Sequence, residues 1–254
     1  MPKRKIDRYQ AHRRALLALA CLCCFAPTVL NAAADDLMMG SVVRSEKYRI
    51  ITDTTGSFEI FDGTVSFRNA IYNLKADHAV HDRKTAEWTL RGSVYCLRKF
   101  LDGSNLELYC DNGKYHENSE KAELYRGNDP IRMKHVAADG KLLRGRCDRI
   151  NADNAKASMD FLGNFYLRTE NMEIFSDNGF YSDTEHSFLI YNSAPAPSRS
   201  KTAARSLPVA IGTREGRDFA MTGERMKFFR DTGDVKLYNN VAGWIKAVKA
   251  PQKN

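Results

Sequence analysis

Few side chains in this sequence have the type and spacing that acid–base, metal or nucleophilic chemistry would need. His78 and His81 form an H-x-x-H pair, but on a strand this spacing sends the two rings to opposite faces, so we predict no metal site. Glu117 and Glu120 lie in a charged, turn-like stretch where solvation is the plain explanation. The chain contains no G-x-S-x-G, P-loop or H-E-x-x-H motif. We therefore expect neither an enzyme nor a cofactor. A polysaccharide-active β-helix enzyme with its acids on separate repeats remains an alternative.

Three of the six cysteines, Cys96, Cys110 and Cys147, lie after the N-terminal segment. Cys96 and Cys110 flank the turn sequence L-D-G-S-N, and a three-residue turn centred on Gly103 would place them opposite each other. This spacing predicts a disulfide between Cys96 and Cys110. A bridge from Cys110 to Cys147, and three free thiols, remain open alternatives.

The formal net charge of +8 comes largely from the N-terminus. Residues 1–34 hold six basic residues and one acid, which leaves 33 basic and 30 acidic residues in the rest of the chain. This balance argues against a nucleic-acid partner.

Residues 1–34 have the order of a secretory signal peptide. A basic stretch is followed by an apolar run over residues 15–30 and then by small residues suited to cleavage before Asp35. The run is short for a membrane span of about 20 residues. We therefore predict export, with residues 35–254 as the mature domain. An uncleaved segment, which would anchor the protein in the inner membrane, is the alternative.

A small residue followed by an acid recurs along the chain, and each copy is followed by an apolar residue beside Gly or Asn. The first three steps between acids are 34, 37 and 29 residues. These regular steps indicate an internal repeat. The acids are Asp77, Asp111, Asp148, Asp177 and Glu224, and the closing residues are Gly92, Gly127, Gly163, Asn192 and Asn239.

Within each unit the apolar residues alternate with polar ones, as in E-W-T-L-R-G-S-V-Y-C and N-L-E-L-Y-C-D. A period of two predicts half-buried strands. Turn signals occur at 62–63, 82–84, 101–105, 111–113 and 231–233. We predict an all-β protein built from stacked β-hairpins. The repeated acid is expected at a corner, accepting backbone N–H bonds, with the Gly or Asn at the next corner.

The alternation also predicts which side chains face the interior, either as core or as the wall of a groove. The predicted inward residues are Phe67, Leu74, Trp88, Leu90, Val94, Leu106, Leu108, Phe165, Leu167 and Ile174. One region departs from the pattern. Residues 193–217 hold three of the seven prolines and five basic residues, which indicates an exposed basic linker or long loop.

The repeat resembles the OstA-type domain of lipopolysaccharide-transport proteins, the LptA family and its relatives. The likeness is carried by residues 74–94, 108–127 and 174–183 and extends over about residues 55–245. The linker and the mature cysteines are not part of the family pattern.

The resemblance implies a twisted β-jelly roll in the periplasm, with an open apolar groove between two sheets. It implies lipopolysaccharide, or a similar anionic lipid, as cargo, with the inward residues as candidate lipid contacts. Edge-strand pairing with other transport-bridge proteins, or with further copies of the chain, is implied in the same way. The whole would serve outer-membrane assembly. An uncleaved N-terminus would indicate the membrane-anchored LptC type instead. A secreted structural or adhesive repeat protein without lipid cargo is the competing class.

Overall fold

The computed structural model describes residues 42–52, 54, 56–68, 72–100, 102–193 and 206–247, and most of this part of the chain is antiparallel strand. The predicted signal segment 1–34 lies outside the described residues. A 3₁₀ turn at Glu117–Ser119 is the only helical segment among those described. The all-β prediction is therefore confirmed. The strands are β1 (Val42–Arg44), β2 (Lys47–Thr52), β3 (Ser57–Arg68), β4 (Tyr72–Asp82), β5 (Glu87–Lys99), β6 (Asn105–His116), β7 (Lys121–Tyr125), β8 (Ile131–Val136), β9 (Leu142–Cys147), β10 (Arg149–Asp153), β11 (Ser158–Arg168), β12 (Met172–Ser182), β13 (Ser187–Tyr191), β14 (Val209–Arg214), β15 (Arg217–Thr222), β16 (Arg225–Phe229), β17 (Val235–Tyr238) and β18 (Ala242–Ala247).

The strands form two layers that face each other in a jelly-roll-like stack. We call sheet 1 the ladder β2–β3–β4–β5–β6–β7–β10–β11–β12–β13–β16–β17. Sheet 2 is the ladder β1–β3–β4–β5–β6–β8–β9–β11–β12–β14–β15–β18. Six strands, β3 to β6 with β11 and β12, take part in both ladders, one half of each strand in either sheet.

Aromatic rings pack between the two layers. Trp88 of sheet 1 meets Phe67 of sheet 2 edge-on, with ring centroids 5.5 Å apart. Phe161 of sheet 1 lies 5.4 Å from Phe165 of sheet 2. The alternation along each long strand points one set of side chains into this shared core and the other set to solvent.

The shared strands kink where they leave one sheet for the other. Ladder register shifts occur at the pairs Gly63–Thr64, Gly92–Ser93 and Gly163–Asn164, and all six of these residues have positive φ. The turns predicted at 62–63 and 111–113 are wrong, because β3 and β6 continue through them. A Gly-polar pair signals a left-handed backbone, which a strand kink uses as readily as a hairpin.

The repeated acids and glycines meet at this corner. Each acid fills the space that a Cβ on the glycine of the following strand segment would occupy. An added Cβ would lie 2.9 Å from the Asp77 Cβ at Gly92, 2.7 Å from the Asp111 Cβ at Gly127, and 2.7 Å from Asp148 Oδ2 at Gly163. We call this row of contacts the corner ladder. Glycine is required for close approach at all three positions, and at Gly92 and Gly163 its positive φ requires it as well.

The acids of the corner ladder also accept hydrogen bonds from the chain that passes them. Asn128 N donates to Asp111 Oδ2, and Ser193 N donates to Asp177 Oδ2, both at 3.1 Å. The predicted role of these two aspartates as acceptors of backbone N–H bonds is confirmed. The glycine lies against the acid itself, whereas the sequence prediction had placed it at a separate corner.

The ladder extends to both ends of the described chain. Glu224 accepts bonds from the side-chain amides of Asn239, at 3.4 Å, and Asn240, at 2.6 Å. At the other end, Glu46 takes the acid position below Gly63, where an added Cβ would lie 2.5 Å from Glu46 Oε2. This N-terminal copy was missed, although Glu46 follows Ser45 in the same way that Asp177 follows Ser176.

The predicted linker is shorter than its composition indicates. Residues 194–205 lie outside the described part, but residues 209–214 are strand β14, paired with β12 and β15. V-A-I-G-T-R follows Pro208 and buries Ala210, which explains why it joins the sheet. The prediction of loop over 209–214 is therefore wrong.

The turn between β5 and β6 has five residues instead of three. Phe100 N donates to Ser104 O at 2.9 Å, and Gly103 N donates to Phe100 O at 3.1 Å. The ladder consequently moves by two residues relative to the predicted register. Cys96 lies opposite Leu108, and Cys110 lies opposite Val94.

This shift removes the geometry on which the predicted Cys96–Cys110 bridge depended. Cys110 and Cys147 are both buried free thiols, so the 96–110 pairing is wrong and the rival 110–147 bridge is not formed. Burial raises the pKa of each of these two thiols to about 12.

Candidate functional site

A cavity of about 790 Å³ lies between the two sheets toward the C-terminal end of the stack. Its walls come from β8 to β9, the turn before β12, and strands β14 to β18 with their turns. Such a volume lies within the range of small-molecule sites. Apolar and polar side chains both line the cavity. The apolar ones include Leu143, Met172, Ala210, Phe219, Met221, Phe228, Val235 and Ile245. The polar ones include His135, Asp139, Lys141, Glu170, His186, Arg214, Glu215, Arg217, Arg230 and Asp231.

The inner wall is apolar because neighbouring strands present matching inward positions. Met172 of β12 pairs with Gly212 of β14, Gly212 with Phe219 of β15, and Phe219 with Ile245 of β18. Phe228 and Val235, which pair across β16 and β17, line the cavity from sheet 1. Ile245 remains 66% exposed, so the apolar wall reaches the opening.

The opening is rimmed by charges of both signs. Lys141, Arg214 and Arg217 lie among the acids Asp139 and Glu215. An apolar interior beneath a charged rim suits a molecule with an apolar body and a polar head.

Arg230 holds a polar cluster at one side of the cavity. Its Nη1 donates to Tyr181 Oη at 2.8 Å, and its Nε donates to Asp231 Oδ1 at 2.9 Å. His186 Nδ1 lies 2.8 Å from Asp231 Oδ2. The guanidinium is largely shielded from solvent yet still borders the cavity, so it is fixed in place and able to attract an anionic group.

His135 supplies a hydrogen-bonding atom with no partner among the described residues. The residue is 6% exposed, and its Nε2 is buried without a hydrogen bond. It borders both the large cavity and a smaller pocket of about 20 Å³ that adjoins it. Burial, reinforced by the charge of Arg230, lowers the pKa of His135, so the ring is neutral at neutral pH.

A second polar cluster closes the N-terminal end of the interior. His81 is buried, stacks on Trp88 at 4.3 Å, and places its Nδ1 2.9 Å from Glu59 Oε2. Arg83 and Tyr48 also donate to Glu59. The His81 hydrogen bond is the largest influence, and together these donors lower the pKa of Glu59 to about 2. His81, Arg83 and Tyr48 together satisfy the hydrogen-bonding capacity of the Glu59 carboxylate, as expected for an ion cluster with a structural role.

All ten residues predicted to face inward are buried on the inner faces of the two sheets. None of them lines the large cavity, and Leu106 alone among them borders the small pocket. They form the packed core beneath the cavity. The cavity wall comes mainly from residues that the sequence analysis did not select, such as Phe219 and Ile245. The alternation F-A-M in β15 was a usable signal for them.

The two histidines of the H-x-x-H pair lie on opposite faces of β4. His78 contacts Asp62 on the outer face while His81 points inward, as predicted from their spacing. Within the described ranges no group of three His, Cys, Asp or Glu side chains is placed to hold a metal ion. No helix in this part of the chain has the length and hydropathy to cross a membrane.

Comparisons with known proteins give a structural likeness and no sequence relative. No family model matches the chain, and no curated protein matches it. Among solved structures, 18 chains match. One of them is LptH from Pseudomonas aeruginosa, described as the LptA homologous periplasmic component of the conserved lipopolysaccharide transport device. It is 9% identical over 70% of this chain and 99% of its own, with a TM-score of 0.35.

Proposed function

We propose that this protein binds an anionic amphiphile, lipopolysaccharide or a similar lipid, and carries it through the periplasm toward the outer membrane. The observation that carries the proposal is the cavity, which combines an apolar wall with a charged rim between two sheets. The resemblance of the repeat to the OstA-type domain supports the same function. In this proposal the exported chain works without a cofactor and catalyses no reaction.

The apolar wall would take the acyl chains of the cargo. Met172, Phe219 and Phe228 offer surface to them, and their transfer from water supplies the binding free energy. His135 Nε2 would meet an ester or hydroxyl group at the inner end. Arg230 and the basic residues of the rim would face the anionic head. The ten buried inward residues would form the packed core that sets the distance between the two sheets.

The ends of the stack would connect the protein to its neighbours in a transport bridge. Within the described part of the chain, β1 and β2 each pair only with β3, while β17 pairs only with β16 and β18 only with β15. Tyr48 and Ile50 at one end and Tyr238 at the other are exposed. A strand that has one unpaired edge and apolar side chains can pair with a strand from another protein or from a second copy of this chain.

The test is mass spectrometry of lipid extracted from the protein after purification from the periplasm of its own host. We expect an anionic lipid to copurify. Ile245→Asp, which puts a charge on the apolar wall, should lower lipid occupancy on the order of tenfold or more while leaving the melting temperature unchanged.

Ile51→Asp is the matched control, because Ile51 is also exposed, at 43%, but lies on β2, far from the cavity in the sheet order. Leu90→Asp in the core should instead unfold the protein. Lipid-free protein from the native host would contradict the proposal and favour a structural repeat protein without cargo.

A further inference from the structure

The outer face of sheet 2 carries a basic patch whose charges lie directly opposite each other. It consists of Arg132 and Lys134 on β8, Arg144 and Arg146 on β9, and Arg168 on β11. Arg132 pairs with Arg146 across the strands, Lys134 with Arg144, and Arg144 with Arg168. Like charges directly opposite each other destabilise a sheet. The arrangement therefore lowers the free energy of unfolding, and a function of the patch would explain why it is present.

Carboxylates neutralise only two of the five charges of the patch, Lys134 through Glu107 and Arg168 through Glu173. Within the described ranges Arg132, Arg144 and Arg146 form no ion pair; only Lys134 and Arg168 do, at its flanks. The outer face of sheet 1 differs. There Lys114 lies 2.7 Å from Glu87, and Arg149 lies 3.1 Å from Glu123. The unpaired charge is thus a property of one face and not of the whole surface.

Aromatic rings flank the patch and hold its guanidinium groups. Arg132 lies over the ring of Tyr109 at 5.4 Å, and Arg146 lies over Tyr166 at 4.8 Å. Stacking of this kind leaves the N–H edge of a guanidinium available for phosphate oxygens. The patch can therefore bind phosphate groups without rearrangement of its side chains.

An exposed apolar patch continues from the basic patch along the same face. Phe175 pairs with Tyr166 and Val209, while Ile211 is joined to Trp244 through Ala220. Phe175, Val209, Ile211 and Trp244 are all more than a third exposed. The apolar and basic patches together form one surface that is defined by these nine residues.

We propose that this surface docks on a lipid bilayer that contains anionic phospholipid. Basic residues are attracted to anionic headgroups, and Trp and Phe side chains insert at the level of the interface. A basic patch alone or an apolar patch alone would not select a bilayer, but a single face on which the two patches adjoin does. The proposal stands apart from the lipid cargo, because the outward Trp244 and the cavity-lining Ile245 lie on opposite faces of β18.

Docking in this orientation would bring the cavity close to the membrane. β18 is a cavity wall on one side and part of the docking surface on the other. The distance between the cavity opening and the lipid headgroups would then be no more than the thickness of one β-strand. A membrane amphiphile could then enter without crossing open water.

The test uses the exported chain and vesicles of phosphatidylcholine, either pure or mixed with phosphatidylglycerol. We expect flotation with the mixed vesicles only. The double variant Arg144→Gln/Arg146→Gln should bind about 30-fold more weakly, since each basic residue near an anionic surface is worth about 1 kcal/mol. Both side chains are exposed, so the fold should survive, as a thermal melt would verify. The control Lys114→Gln/Arg149→Gln removes the same charge from sheet 1 and should leave binding unchanged.

Trp244 gives an independent readout, because Trp88 is buried and will not report on the surface. Its emission should shift to the blue on mixed vesicles and be quenched by brominated lipid. Equal loss of binding in both double variants would overturn the proposal. So would binding to soluble polyphosphate as tight as to vesicles without a Trp244 shift, which would assign the patch to a soluble polyanion. Neither result bears on whether lipid copurifies.

Discussion

Substitution of Gly127 by Ala is the most direct test of the corner ladder. An added Cβ would lie 2.6 Å from Asp111 Cγ and 2.7 Å from Asp111 Cβ, well inside van der Waals contact. Gly127 is not among the residues with positive φ, so its backbone suits alanine. The whole cost must then come from the clash with Asp111.

The size of the effect follows from what Asp111 must give up. Moving the carboxylate away breaks its 3.1 Å hydrogen bond from Asn128 N. Overpacking costs about 1–3 kcal/mol, and a partly exposed charged hydrogen bond adds about 1 kcal/mol. We expect Gly127→Ala to lower the free energy of unfolding by about 2–4 kcal/mol. Asp111→Ala alone should cost about 1–2 kcal/mol.

The decisive measurement is the double variant in urea denaturation. With the carboxylate absent, Gly127→Ala should cost almost nothing, because the methyl group then enters vacated space. The two changes should couple by about 2 kcal/mol. Gly140→Ala is the control for backbone strain alone, since Gly140 has φ +83° and nothing within 4 Å of an added Cβ. It should cost about 1 kcal/mol and show no coupling to Asp111. Additive costs for Gly127 and Asp111 would refute the corner ladder.

Two further predictions concern buried ionisable groups. The folded pKa of Glu59, about 2, lies below its ordinary value of 4.5, so its ionisation stabilises the protein above pH 4.5 and this contribution is lost as the pH falls toward 2. Urea midpoints measured against pH should fall in this window for the native chain and less steeply for Glu59→Gln; parallel curves would contradict the assignment. Cys110 and Cys147, whose pKa values burial raises to about 12, should resist iodoacetamide at neutral pH and react on unfolding. Peptide mapping that finds either thiol alkylated in the folded protein would show that it is not buried.

Features that depend on local pattern were predictable from the sequence. Alternation fixes which face a side chain occupies, so Trp88, Leu108 and Ile174 were placed inward correctly from parity alone. The repeated acid, at Asp111 and Asp177, was assigned to a corner because its side chain can accept the backbone N–H groups of a turning strand. These inferences need only the neighbours along the chain.

Features that depend on turn length or on pairing between distant strands were not predictable. One turn with two more residues than expected moved Cys96 from opposite Cys110 to opposite Leu108. The cavity is walled mainly by β14 to β18, which follow the proline-containing segment. Alternation marks Phe219 as inward, but only strand pairing places it beside Ile245 on the cavity wall, and no local pattern encodes that pairing. The basic patch likewise emerges only from register, which sets Arg144 opposite Arg168 although 24 residues separate them.

The corner ladder has a consequence for how such a protein can change in length. The acids contact the Gly or Asn of an adjoining segment and the residues next to it, as Asp111 contacts Gly127 and Asn128, so the corner is a series of nearest-neighbour contacts, as in other repeat architectures. A whole unit gained or lost would re-form the same contact across the new junction. Each unit contributes two strands to either sheet, which at the usual strand spacing lengthens the stack by about 10 Å. Duplication of one gene segment can thus lengthen this fold by one unit at a time, and the added unit needs no new type of core.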